Sequence, residues 1–229
     1  MAKTIKKHWD IILVVGVGLF LAIVAMLAID IVPSVPSVEA ATTSATTVAV
    51  SATVAPSITL TIAGVNSGQG VVTGVTTTVT TDATSVAFGT VSDAANQIAA
   101  HDLTVSTNAI SGYTTNAKDN QALTYSGATI TDWTGTNATP TNPFAPAGTE
   151  AFGYTTNDIS LGTTPTDRFS TTTGGMWAAF EINTDKEVAY YDSAVQNQTT
   201  RIGYQVGVAA TTEAGTYTNT VTYTAVGSF

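Results

Sequence analysis

Few side chains in this sequence have the chemistry for catalysis. There is no cysteine, and histidine occurs twice, at His8 and His101. His8 precedes a long apolar run, so His101, which is followed by Asp102, is the one imidazole in the body of the chain. A serine hydrolase would also need a nucleophile beside this pair, and no Gly-x-Ser-x-Gly turn is present. One imidazole without thiols also cannot make a zinc site. We therefore interpret His101 as a polar residue at the start of a strand.

Carboxylate pairs offer a second kind of chemistry. Glu181 together with Asp185 or Glu187 could hydrolyse a glycosidic bond, which requires two acids about 5 to 10 Å apart. Ion pairs of these acids with Lys186 or Arg201 explain the same residues more simply, since acids that leave water usually have a cationic partner. The sequence therefore predicts a protein that is not an enzyme, and a secreted hydrolase is the least favoured alternative.

Calcium binding would require only oxygen ligands from loops, and aspartates supply them. The sequence contains no run with the spacing of a calcium-binding helix-loop-helix, and acidic loop residues are commonly just hydrated. We therefore expect no resident cofactor, with a calcium site as the alternative. The aspartates in or beside predicted loops that would form it are Asp158, Asp167, Asp185 and Asp192.

Aromatic residues are concentrated in an irregular Thr-, Asn-, Pro- and Gly-rich insertion over about 132–175. Aromatic rings in loops can stack on sugars, and Thr and Asn side chains would supply hydrogen bonds. The simpler interpretation is that the rings anchor this long insertion by closing one end of the fold. The candidate ligand-binding residues are Trp133, Phe144, Tyr154 and Trp177.

The charge of the chain excludes one class of partner. The net charge is -9, and the first 40 residues add nothing to it, because three lysines there balance three acids. The remaining residues carry 13 acidic side chains against four basic ones, which are Lys118, Arg168, Lys186 and Arg201. Such a surface repels polyanions and offers no basic patch. We therefore expect no binding to nucleic acid.

The first 40 residues have the form of a secretory leader. Three lysines precede an uncharged apolar run of 19 residues over 11–29, and small residues then fit a cleavage site between Ala40 and Ala41. Signal cores usually run about 7–15 residues, whereas this run is long enough to span a bilayer as a helix. Residues 1–40 are therefore either a cleaved signal peptide or an uncleaved hydrophobic helix that anchors the chain. In both cases we expect the rest of the protein to be secreted or at the cell surface.

After residue 40 the sequence has the composition of an all-β protein. Threonine supplies 45 of these residues, and no helical period is visible. Residues 41–56 predict a Thr/Ser/Ala-rich linker or an N-terminal strand, and 57–229 predict an antiparallel β-sandwich of immunoglobulin-like or jelly-roll-like type. The expected strands are 57–63, 71–81, 85–91, 101–109, 176–183, 187–192, 201–209 and 214–226. We expect the last two to form a hairpin through the turn 211–217.

The last predicted strand, AGTYTNTVTYTAV (214–226), alternates strictly. Threonines occupy its even-numbered positions from 216 to 224, and larger or apolar residues occupy the odd ones. This period of two predicts one face toward the core and one toward water. The residues expected on the core side are Tyr217, Val221, Tyr223 and Ala225, with Asn219 as the exception.

Two stretches resemble the WxL domains of bacterial cell surfaces. The stretch 214–226 resembles their terminal strand, in which an AGxY turn leads into a Thr-rich strand, and TVSTNAISGYTTNAKDNQALT (104–124) resembles an earlier stretch. Both Trp-x-Leu positions carry tyrosine here, at Tyr113 and Tyr223. The resemblance implies an exported β-sandwich, and it implies non-covalent attachment to the cell wall.

These observations predict a non-enzymatic structural protein of the cell surface, such as a coat protein, an adhesin-like module or a fibre subunit. In the fibre version, residues 46–54 form an unpaired strand that completes the sheet of a neighbouring copy. The alternative is a module that binds cell-wall or surface glycans through the loop aromatics.

Overall fold

The structure of the chain is a computed structural model, and it describes residues 44–170 and 172–229. The predicted leader, with its hydrophobic helix over 11–29 and its cleavage site between Ala40 and Ala41, lies outside the described residues. Among the described residues, no helix is long and apolar enough to cross a membrane. Residues Thr53–Phe229 form one compact unit, which contains every strand of the described residues.

All regular elements of the described residues are β-strands. Their order along the chain is β1 (Ile58–Gly64), β2 (Gly70–Val72), β3 (Val75–Thr76), β4 (Gln97–Thr107), β5 (Tyr113–Asp119), β6 (Thr124–Tyr125), β7 (Ala128–Thr129), β8 (Ala151–Thr156), β9 (Lys186–Tyr191), β10 (Val195–Gly207) and β11 (Val221–Gly227).

The strands form two main sheets. One has four strands in the order β1-β4-β10-β8, and the other has three in the order β11-β5-β9. All neighbours within them run antiparallel, and β2-β3 and β6-β7 are two small additional hairpins. The predicted all-β antiparallel sandwich is confirmed, and β8 interrupts the long insertion near its middle.

The core lies between the two sheets. Leu103 of β4, Ile202 of β10 and Val188 of β9 are fully buried and pack into one cluster. This is the outcome expected when strands place alternate residues on one face and two such faces meet. Removing these apolar surfaces from water is the main stabilising contribution available to a chain without disulfides.

A row of aromatic rings runs through this core. Phe180 stacks on Tyr154 of β8 with ring centroids 4.4 Å apart, and it lies 6.0 Å from Tyr204 of β10. Phe180 itself is in no strand, because the predicted strand 176–183 contacts its neighbours only through single bridges such as Ala178 to Tyr154. The apolar run was predicted to be a strand, but it is buried as an irregular segment whose side chains fill the core.

Two further predicted strands are also wrong. The stretch 71–81 is a short hairpin of β2 and β3, because Gly74 has a φ of 76° and the chain reverses there. Glycine adopts this backbone region without the penalty that a side chain imposes. The stretch 85–91 forms no strand, and its apolar residues Val86, Phe88 and Val91 pack against the core from a loop.

The last strand keeps its predicted faces but not its predicted partner. β11 pairs with β5, with Val221 opposite Asp119 and Tyr223 opposite Ala117, and it does not pair with β10. Residues 211–217 therefore lead from one sheet to the other instead of closing a hairpin. The alternation is confirmed, since Tyr217, Val221 and Tyr223 pack on the core and the threonines are exposed.

Gly112 offers a test of how tightly the start of β5 is packed. Its φ is 71°, and a Cβ there would overlap the carbonyl oxygen of Tyr191 on β9. We expect Gly112→Ala to lower the free energy of unfolding by about 3 kcal/mol or more, through backbone strain and displacement of β9.

The matched control is Gly68→Ala. Gly68 has a similar φ of 80° but open space where the Cβ would lie. Its cost should be about 1 kcal/mol, from the backbone alone. Denaturant unfolding of both variants measures the difference, and equal costs would contradict the close approach of Gly112 to β9.

Candidate functional site

The aromatic residues of the insertion pack on one another. The ring of Phe144 lies 5.0 Å from Trp133 and 5.2 Å from Trp177, centroid to centroid. Trp177 is fully buried, Phe144 and Tyr154 are buried, and Trp133 is half-buried. The indole of Trp177 donates to the carbonyl of Gly174 at 2.7 Å. This arrangement favours the anchoring interpretation over sugar stacking, because sugar binding requires a ring face in solvent.

The four aspartates predicted for calcium lie apart in different settings. Asp158 accepts hydrogen bonds from the backbone N–H groups of Ser160 and Tyr190, and Asp185 pairs with Lys118 at 3.3 Å. Within 44–170 and 172–229, no group of three or more His, Cys, Asp or Glu side chains is placed to hold a metal ion. The remaining two of the four, which are exposed, are Asp167 and Asp192.

His101 has structural partners on both ring nitrogens. Nδ1 lies 3.0 Å from the hydroxyl of Tyr204, and Nε2 lies 2.7 Å from the backbone carbonyl of Asp82. Its sequence neighbour Asp102 points elsewhere and accepts two hydrogen bonds of 2.7 Å from the guanidinium of Arg201. The two residues therefore do not act as the pair that a serine nucleophile would need.

Glu181 and Glu187 also have separate partners. Glu181 pairs with Lys186 at 3.0 Å near the surface, and Glu187 pairs with Arg168 at 3.1 Å in the interior. The ion pair of Glu181 with Lys186 is one that the sequence suggested. Each carboxylate is thus engaged in an ion pair of its own.

The pair of Glu187 on β9 and Arg168 in the insertion makes several hydrogen bonds besides the ion pair. The Glu187 carboxylate accepts from the backbone N–H groups of Gly162 at 2.7 Å and Thr163 at 2.9 Å, and from the Thr163 hydroxyl. Arg168 donates to the Thr163 carbonyl at 2.7 Å and to Oδ1 of Asn137 at 3.0 Å. Burial opposes the charge of Glu187, but these hydrogen bonds outweigh it and lower the pKa of its carboxyl group.

A polar cavity of about 330 Å³ lies beside this network and is lined by Asn116, Asn137, Lys186 and Glu187 among others. A second, of about 280 Å³, lies between Asp158, Tyr190 and Thr200. The charged groups that line the first cavity already have protein partners, so we interpret them as structural residues.

One group of acids was missed by the sequence reasoning. Asp119, the last residue of β5, is 1% exposed, and neither of its carboxylate oxygens has a hydrogen-bond partner. Oδ1 of Asp132 and Nδ2 of Asn219 are also buried atoms without a hydrogen-bond partner. Burial raises the pKa of Asp119. Burial and the nearby charge of Asp119 raise the pKa of Asp132 to about 6.

The signal for Asp119 was present in the alternation of β5. Tyr113, Thr115, Ala117 and Asp119 share one face of that strand, and all four are buried. An acid at the end of a run of inward-facing residues is the pattern that could have identified it. Nothing local in the sequence indicates that Asp132 lies nearby.

Comparison of the chain with protein families, with curated proteins and with solved structures finds no match. The resemblance to WxL domains therefore stays a prediction, and the function has to be argued from the residues themselves.

The Glu187–Arg168 pair gives a test by substitution. We expect Glu187→Gln to lower the free energy of unfolding by about 3–5 kcal/mol, because it leaves the buried guanidinium of Arg168 without its counter-charge. The control Glu181→Gln removes a half-exposed pair with Lys186 and should cost about 0–1 kcal/mol. Denaturant unfolding at neutral pH measures both.

The pH dependence of the free energy of unfolding gives a second test of the Glu187–Arg168 pair. Because the folded pKa of Glu187 is below its ordinary value of 4.5, the stabilisation is fully present above that value and is lost as the pH falls through the folded pKa. The gap between the parent and Glu187→Gln should therefore narrow below about pH 4.5. A gap that stays constant with pH would show that the charge of Glu187 is not what stabilises the insertion.

Proposed function

We propose that this chain is a non-enzymatic structural subunit of a cell-surface fibre or coat, which assembles when residues 46–54 of one copy add as a strand to the sandwich of another. The observation that carries the proposal is the exposure of Val48, Val50 and Val54, which are 84%, 91% and 81% exposed. Three valines in water along one short segment are a cost that a partner surface would remove.

The donor segment 46–54 has the pattern of a strand without a partner. It forms no strand in the structure, and its apolar residues alternate from Val48 to Val54 through Val50 and Ala52. It also carries no charge, so it approaches a second acidic copy without direct repulsion. Burying its valines would contribute about 1.5–3 kcal/mol for each fully buried side chain.

The two main sheets have four edge strands, and two of these, β8 and β9, are covered by other segments of the protein. Along β8, Phe152 and Tyr154 make bridges to Asp132 and Ala178. Along β9, the N–H of Tyr190 donates to Asp158, and the carbonyls of Val188 and Glu187 accept from the side chains of Thr156 and Asn137 in turn. Closed edges of this kind do not accept another strand.

The other two edges, β1 and β11, are open within the part of the chain that the structure describes. Each pairs there with one strand only, and the two strands lie against each other on the same side of the sandwich. Their inward-facing residues are only partly covered, although they pack on the core: Ile58, Leu60, Ile62, Val221, Tyr223 and Ala225. An added strand with apolar residues at every second position would cover them, and its backbone would supply the missing hydrogen bonds.

The residues with the most catalytic potential support a structural role as well. His101, Asp102 and Glu187 are each engaged in bonds that hold the fold. Export is part of the proposal and rests on the leader in residues 1–40. The burial of the insertion aromatics gives no comparable support to the glycan-binding alternative, and calcium enters the proposal as a structural ion only.

The absence of cysteine in the chain makes strand exchange testable by disulfide trapping. One full-length variant carries Ser51→Cys, in the donor segment, and a second carries Thr224→Cys, on the exposed face of β11. Co-expressed and oxidised, they should give a crosslinked heterodimer on a non-reducing gel, because both side chains point away from the core in the added pair. Thr222→Cys on β11 tests the register of the added strand. Thr61→Cys on β1 tests whether the strand adds at that edge instead.

The control replaces the acceptor with Asp192→Cys, an exposed residue just after the closed strand β9. It should not crosslink with Ser51→Cys above background. Replacing Val48, Val50 and Val54 together by Thr should abolish the crosslink. It should also abolish the fibres that we expect the parent protein to form, as judged by negative-stain microscopy. Equal crosslinking to β9 and β11, or fibres that survive the triple substitution, would contradict the proposal.

A further inference from the structure

The carboxylate of Asp119 has no counter-charge among the described residues. It lies at the inner face of β5, is 1% exposed, and has neither oxygen bonded. A buried ionised carboxylate without a partner is costly, so such a group either takes up a proton or binds a cation.

Two other side chains share this place. Oδ1 of Asp132 is buried and unbonded, and the charge of Asp119 acts on it. Asn219 lies two residues before Val221, which faces Asp119 across the pair of β5 and β11, and its Nδ2 is also buried without a partner. An amide can turn by 180°, which would present Oδ1 to the same point as the two carboxylates.

Within residues 44–170 and 172–229, no Lys or Arg side chain is left to neutralise this group. The four Lys and Arg residues after residue 40 each pair with a different acid: Lys118 with Asp185, Arg168 with Glu187, Lys186 with Glu181 and Arg201 with Asp102. This pairing is independent of the geometry at Asp119, and it leaves no Lys or Arg of the described residues to supply the counter-charge.

We propose that Asp119, Asp132 and Asn219 bind one calcium ion. The donor set consists of oxygens only, which suits a hard cation and not zinc or copper. The group has two carboxylates, and calcium does not need a third, because amide and backbone carbonyl oxygens and water also serve as its ligands. Magnesium fits less well, since it demands near-ideal octahedral geometry.

The ion would tie together three segments that are far apart in sequence. Asp119 ends β5, Asp132 opens the insertion, and Asn219 lies two residues before β11. The cross-strand pair of Val221 with Asp119 brings the start of β11 to this point. The site therefore acts as a structural clamp at one end of the sandwich, and it is separate from the four loop aspartates predicted from the sequence.

The test uses the full chain, purified in detergent and stripped with EDTA, with thermal unfolding followed by circular dichroism. We expect Ca²⁺ at 10 mM to raise the Tm by about 3 to 10 °C, as for a site of extracellular type with a Kd of about 0.1–1 mM. Mg²⁺ at the same concentration should raise it less. Tb³⁺ should show luminescence sensitised by the protein aromatics, and Ca²⁺ should displace it.

Asp119→Asn and Asp132→Asn should each abolish the calcium-induced rise in Tm and the Tb³⁺ signal. In EDTA these variants should melt at or above the parent Tm, because the substitution removes a buried repulsion, so a loss of the rise does not reflect misfolding. The control with Asp167→Asn and Asp192→Asn combined should keep the full rise.

Three outcomes would overturn the site. The first is no rise with the parent protein, which would indicate carboxyl groups neutralised by protons. The second is an equal rise with Mg²⁺ or in Asp119→Asn, which would indicate general screening of an acidic chain. The third is a rise lost only in the Asp167/Asp192 control, which would place calcium in the loops.

Discussion

The buried contact between Arg168 and Glu187 holds the irregular insertion to the sandwich, and the arrangement around it depends on that contact. Glu187 belongs to β9, while the groups bonded to it come from the loop 162–168. Desolvating both charges is tolerable because hydrogen bonds from Gly162 and Thr163 satisfy the carboxylate. At the other end of the insertion, the packing of Phe144 against the two tryptophans performs the same task with apolar surface. The insertion is thus part of the core, and of these three rings only Trp133 is half-exposed.

The edges follow from how this anchoring uses the polar groups of the chain. The side chains that hold the insertion also occupy the outer edge of β9, and the bridges of the insertion occupy β8. Among residues 44–170 and 172–229, no such segment covers β1 and β11. These two open edges lie against each other on one side of the sandwich. This is the side on which a strand from another copy would find both backbone partners and half-covered apolar residues.

The sequence alone predicted the properties that depend on local pattern. The all-β class followed from threonine content and alternation, and the core face of β11 from the odd-numbered Tyr217, Val221 and Tyr223. Properties that depend on distant contacts were not predictable in the same way. The pairing of β11 with β5 depends on how both sheets close on the core, which the turn at 211–217 does not encode. Likewise, nothing in the spacing of Asp119 and Asp132 along the chain indicates that the charge of Asp119 raises the pKa of Asp132.

The proposed cation site and the open edge meet at β11, and a bound ion would hold this edge strand in place for assembly. An edge strand is held by hydrogen bonds on one side only, so its ends open more easily than those of a central strand. A strand that must accept another strand has to stay in register before the partner arrives. Asp119 and Asn219 flank the first residue of β11, so an ion bound between them fixes the strand at its start. The part of the chain that the structure describes has no Lys or Arg to place there, because its four Lys and Arg residues are paired elsewhere. The local stability of β11 would then depend on the calcium concentration outside the cell, where the assembly is proposed to form.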